Sequence, residues 1–234
     1  MGIWKKGSEV KKQLLLGAVL VTVACSAVAD DATALAMVQT ASQVGTRSTA
    51  GEPGTSQLIM SYWVPEETGD SGHDNGKGQW VPTDTIKRNN RMNIVAKLTF
   101  NPDAQGVPGV VYIGAKKDKI GAKMLTSAGW QVYEGGFLHP YAIAANGLPS
   151  ELVVPILQDQ TPCSLSGDDQ LDFYAGYGLV TADMTPQINS MIKHITRLTP
   201  EHIVQSVVNR DIQMNNRYWQ ILTLQSCPTD HGKN

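Results

Sequence analysis

The side chains most able to do chemistry are three cysteines, Cys25, Cys163 and Cys227, and the segment Glu66–Gly78, EETGDSGHDNGKG. In the latter, Asp70, Ser71 and His73 are the groups a hydrolase would use. A serine nucleophile needs a histidine base that is itself oriented by a buried acid. No histidine precedes Ser71, and the Gly-Pro that continues a serine-protease turn is replaced by His73 and Asp74. The carboxylates Glu66, Glu67, Asp70 and Asp74 could gather oxygen ligands for calcium, but they lack the alternating spacing of an EF-hand loop. A nucleophilic thiolate needs a basic neighbour, and the surroundings of Cys163, QDQTPCSLSGDD, supply none. His194 and His202 stand eight residues apart across a proline and match no metal-ligand spacing. Lys116, Lys117, Lys119 and Lys123 sit in AKKDKIGAK, which is not a phosphate-binding GxxxxGK loop and reads as a charged hairpin tip. No catalytic residue, cofactor or metal is therefore expected.

The compartment follows from the N-terminus. Lys5, Lys6, Lys11 and Lys12 precede an apolar run from Leu14 to Ala24, and Ala27-Val28-Ala29 follows it. A basic segment, a short apolar core and an A-x-A site predict a signal peptide over residues 1–29, cleaved after Ala29. The run is shorter than the ~20 apolar residues of a membrane span. A second reading centres on LVTVAC, which resembles a bacterial lipobox and would make Cys25 a lipidated N-terminus. Both readings predict export to the periplasm, the outer-membrane surface or the extracellular space. Cys163 and Cys227 are then left together in an oxidising compartment and are expected to pair. The bond would close a loop of about 65 residues, worth roughly 4 kcal/mol by loop-closure entropy.

A chain of 234 residues with 41% hydrophobic content can bury a substantial core. Its formal charge of −2 gives no basic field to hold a nucleic-acid backbone. Nucleic acid is excluded as the expected partner.

The elements that must position these residues are mostly strands. Residues 30–57 open with a helical turn or two, become small, polar and punctuated by Gly and Pro, and predict a flexible N-terminal arm; LIMSYWVP, Leu58–Pro65, predicts the first strand. In MNIVAKLTF, Met92, Ile94, Ala96, Leu98 and Phe100 fall on one face with strict period two. VVYIGA, Val110–Ala115, is apolar on both faces and should lie centrally. KMLTSAGWQVYEGG returns the chain and brings Trp130 and Tyr133 to the sheet as packing aromatics. LPSELVVPIL, Leu148–Leu157, is a strand that Pro155 confines to an edge or a bulge. LDFYAGYGLV, Leu171–Val180, and RYWQILTLQSC, Arg217–Cys227, complete the set, before a polar tail at 229–234. The domain is expected over residues 58–228.

The order VYIGA, LTSAGWQVYEGG, LDFYAGYG and NNRYWQILTL resembles an Ig-like β-sandwich module that recurs in large exported bacterial proteins of the envelope and surface. The resemblance covers Met92 to Leu224 and implies an antiparallel sandwich with architectural or adhesive work and no catalytic residues. The present chain adds a two-helix insertion at 185–215, before the last strand. Thr185-Pro186 and Thr199-Pro200 read as an N-cap followed by proline at the first helical position. Ile188, Met191, Ile192, Ile195 and Leu198 make one apolar stripe, and Ile203, Val204, Val207 and Val208 a second. The first stripe either packs on its own sheet or forms a partner-binding face.

The expected protein is mainly β, an exported, non-enzymatic structural or binding subunit of the bacterial envelope. Its expected partners are envelope proteins or further copies of itself in an oligomer or filament, with a membrane reached only through a partner complex or a lipidated Cys25. Two alternatives remain: an accessory periplasmic subunit docked on an integral membrane complex, and a secreted hydrolase using the Glu66–Gly78 loop.

Overall fold

Strict alternation in MNIVAKLTF becomes strict alternation in space. In the computed structural model, which describes Met37, Gln39 and residues 53–66, 77–117 and 121–227, every second residue of this strand from Met92 to Phe100 is buried. It is β3 (Met92–Phe100), flanked by β1 (Gly54–Pro65) and β8 (Glu151–Gln160), with β2 (Gly78–Thr83) outside β1. The sheet order is β2-β1-β3-β8, antiparallel throughout. Pro155 lies in β8, an edge strand, beside a register shift at Ile94/Val95; a proline cannot donate to a ladder, so edge and bulge are where it fits.

The second sheet runs β10-β9-β4-β5-β6, built from β10 (Tyr218–Leu224), β9 (Leu171–Leu179), β4 (Gly109–Lys117), β5 (Ala122–Thr126) and β6 (Gly129–Tyr133). The short β7 (Ala142–Ala144) pairs with the first residues of β4. β4 is the central strand, as its two apolar faces require. Val111, Ile113 and Ala115 join the core between the sheets. Val110 and Tyr112 face the other way and join a second core.

The first core holds Phe100 edge-on to Tyr177, with ring centroids 5.4 Å apart, and Trp219 against both rings. Trp130 on β6 donates its indole N–H to the Ile156 carbonyl of β8 at 2.9 Å, joining the two sheets at one margin. It also packs edge-on against Phe173, so it is a core aromatic, as expected.

The second core lies between the outer face of the larger sheet and two helices, α2 (Thr185–His194) and α3 (Pro200–Met214). The helices follow α1 (Pro162–Ser166) in chain order. Glycine makes the close contact possible. A Cβ built on Gly178 would lie 2.4 Å from both the Val208 side chain and the Val208 carbonyl oxygen of α3. Gly178→Ala is therefore expected to destabilise by roughly 1–3 kcal/mol, as overpacking does. Gly114→Ala, whose Cβ would meet nothing nearer than the Met124 sulfur at 3.4 Å, should cost less than half as much. Urea denaturation of the two variants checks the contrast.

Several boundaries differ from expectation. β1 begins at Gly54, so 54–57 belong to the sheet rather than to the arm; paired with Thr99 and Phe100, Gly54 and Thr55 gain backbone partners that their polar composition does not announce. Met37, in the stretch expected to be an arm opening with a helical turn or two, is helical as that reading has it, but it is buried in the second core rather than free of it. Thr185 is not the N-cap of α2: Met184 is, without a side-chain cap, and the Thr185 hydroxyl instead donates to the Thr181 carbonyl. Thr199 does cap α3, accepting from the His202 N–H at 3.3 Å. The sequence reading omitted β2, β7 and α1, which are too short or too interrupted by Gly and Pro to show a period.

Candidate functional site

The β9–β10 connection is where this sandwich departs most from a simple barrel of strands, and it carries the helices. Ile203, Val204, Val208 and Ile212 put one face of α3 onto the sheet, and Asp211 lies on that same face. An acid there must be paired, because burying a lone carboxylate is costly. Its carboxylate accepts the backbone N–H of Leu179 at 2.8 Å, the Asn215 amide at 2.7 Å and the Arg217 guanidinium. Both charged side chains are almost fully buried, 5% exposed for Arg217 and 1% for Asp211. Burial lowers the pKa of Arg217, and the neighbouring Tyr177 opposes that shift; burial raises the Tyr177 hydroxyl. The Arg217 main chain completes the joint: its N–H donates to Ile212 O, and its carbonyl accepts from Tyr177 N–H. One buried ion pair thus ties α3, the end of β9 and the start of β10 together.

The second fastening is the disulfide between Cys163 and Cys227, with Cα atoms 5.5 Å apart. Cys163 lies in α1, which Thr161 caps by accepting from Ser164 N–H. The Cys227 N–H donates to Gly167 O at 2.7 Å. β9, the helix pair and β10 therefore form a loop closed at both ends.

The apolar stripe divides. Ile188 is fully buried; Met191, Ile192 and Ile195 are partly buried against the second core; Leu198 lies beyond the end of α2 and is 38% exposed. Most of the stripe faces its own sheet. What the helix pair leaves open is a groove of about 290 Å³ between α2 and α3, lined by the apolar Met184, Met191, Val207 and Met214 together with Gln187, Ser206, Arg210, Asp211 and Asn215. Met214 is 70% exposed.

A second groove, of about 470 Å³, lies between the β5–β6 hairpin, the 135–141 segment and the first turns of α3. Here His202 stacks on Phe137 with centroids 5.4 Å apart and planes 17° from parallel, and its Nδ1 lies 3.1 Å from the Thr199 hydroxyl. His194, at the end of α2, is exposed. Tyr133 donates its hydroxyl to Gly136 O at 2.7 Å.

Among the described residues no group of three or more His, Cys, Asp or Glu could hold a metal ion. Cys25, Glu67, Asp70, Ser71, His73, Asp74 and Lys119 lie outside the described residues; Glu66 is exposed, and its N–H donates to Lys77 O. Lys116, Lys117 and Lys123 lie on the strands that lead to the β4–β5 turn. No described helix is long and apolar enough to cross a membrane.

Sequence reasoning missed both the Asp211–Arg217 pair and the two grooves. The signal for the first was an acid at the position where the stripe of Val204, Val208 and Ile212 calls for an apolar residue. The grooves had none, since their walls come from distant segments. Comparison with protein families, with curated proteins and with solved structures finds no match for this chain.

Proposed function

We propose that the protein is an exported, non-enzymatic binding or structural subunit of the bacterial envelope, and that the α2–α3 pair is its contact element. The observation that carries the reading is a helix pair held to its sheet by a buried ion pair, with the far ends of β9 and β10 closed by a disulfide, that still leaves a groove open between the helices. Methionine is flexible and polarisable, which suits a surface that takes an apolar partner. Arg210 in its lining favours a partner helix with an acid beside its apolar face. Export is supported by the disulfide, which persists in oxidising compartments.

The Ig-like reading is supported by strand order. β2-β1-β3-β8 facing β10-β9-β4-β5-β6 parallels the A-B-E and G-F-C-C′-C″ order of variable-type immunoglobulin sandwiches, with β2 added outside the first strand and no counterpart of strand D among the described residues. On that reading the helices occupy the F–G connection, one of the loops that variable domains use to bind.

A photo-crosslinking amino acid at position 214, installed in the native host, should give one discrete protein adduct. The adduct should vanish with Val207→Asp or Arg210→Glu, and the same group at position 151, on the other sheet, should give none. An adduct insensitive to both substitutions, or equal labelling from position 151, would sink the idea.

A further inference from the structure

We propose that the groove at the start of α3 is a binding site for a neutral oligosaccharide. It is separate from the methionine-lined groove and does not depend on what docks there. At about 470 Å³ it falls within the roughly 300–1,000 Å³ range of small-ligand sites. Its chemistry narrows the ligand. Among the described residues no lysine or arginine lines it, which disfavours phosphates, nucleotides and other anions. One carboxylate, Glu201, lines it beside His139 and His202, and among the described residues no group of three or more such side chains is placed to hold a metal ion.

The remaining wall alternates flat apolar surface with planar polar groups. Phe137 is 37% exposed and is held flat by the stacked His202 ring. Gln131, Gln205 and the Glu201 carboxylate present paired donors and acceptors, with the Ser127 hydroxyl on the rim. A pyranose ring needs this combination: its C–H face lies on an aromatic ring while its neighbouring hydroxyls take two hydrogen bonds from one planar side chain. A purely apolar ligand would use none of the remaining donor and acceptor capacity of these amides, the carboxylate and the Ser127 hydroxyl, whereas a polyhydroxylated ring would.

The mature protein should be titrated calorimetrically with cellotriose, maltotriose and N,N′,N″-triacetylchitotriose. At least one is expected to bind with Kd below about 10 mM. Phe137→Ala should weaken it about tenfold or more, Gln205→Ala should weaken it measurably, and Val207→Asp should leave it unchanged. Both groove variants sit on partly exposed positions and should melt with the wild type, which separates lost contact from lost fold. Absence of binding by all three sugars, or binding that neither groove substitution weakens, would overturn the proposal.

Discussion

Asp211→Ala is expected to cost about 3–5 kcal/mol of folding stability, the range for removing one partner of a buried ion pair. Three groups lose their acceptor at once. The Leu179 N–H and the Asn215 amide are left without their present partner, and the Arg217 guanidinium stays buried beneath the helices without its counter-charge. The last term dominates, because desolvating a charge costs more than desolvating an amide. Asp211→Asn keeps an acceptor for Leu179 and should fall between alanine and wild type. The double variant Asp211→Leu, Arg217→Met removes both charges together, and apolar replacement of a buried pair is often neutral or stabilising. It should recover most of the loss in a double-mutant cycle. The measurement is the urea midpoint at unchanged m-value. A loss under about 1 kcal/mol for Asp211→Ala would mean that the pair does not hold the helices to the sheet.

Replacing both cysteines, Cys163→Ser with Cys227→Ser, is expected to cost about 4 kcal/mol, the loop-closure entropy of the 64-residue separation. In a domain of this size that is a fall in Tm of about 10 °C. The native fold should survive, since Cys227 keeps its backbone bond to Gly167 at 2.7 Å and Cys163 stays in a helix capped by Thr161. Reduction of the wild-type protein should produce the same shift. Equal Tm values for oxidised and reduced protein would remove the disulfide from the account of stability. The bond and the ion pair act on the same segment from opposite ends. Loss of either should also weaken the crosslink from position 214 if that contact needs a fixed helix pair.

Some of this architecture could be read from residues close together in the chain. Met92 to Phe100 alternates because successive side chains of a strand point to opposite faces, so burial on one face is written directly into the sequence. Val110 to Ala115 is apolar on both faces because it has a core on each side, and the sequence said as much without saying what the second core was. Thr199 and Pro200 announced a helix start, and α3 begins there. Thr185 and Pro186 announced another and missed by one residue: the Thr185 hydroxyl donates to Thr181 O instead of accepting a helix N–H.

Local periodicity and cysteine chemistry belong to the chain itself: the longer strands, the two helices of the insertion and the pairing of Cys163 with Cys227 could be foreseen from spacing and composition. Which surfaces meet could not. Gly178 reads as a weak point in a strand until Val208 of α3 is seen to rest on it. Asp211 is an acid on an apolar stripe with no partner in view until the turn at Asn215 and Asn216 folds Arg217 back onto it, and nothing near Phe137 in the chain points to His202, which lies flat against it. Backbone repeats are set by neighbours in sequence. The partners of a buried charge or an aromatic ring are set by how whole layers stack, and that is decided only when the complete fold forms.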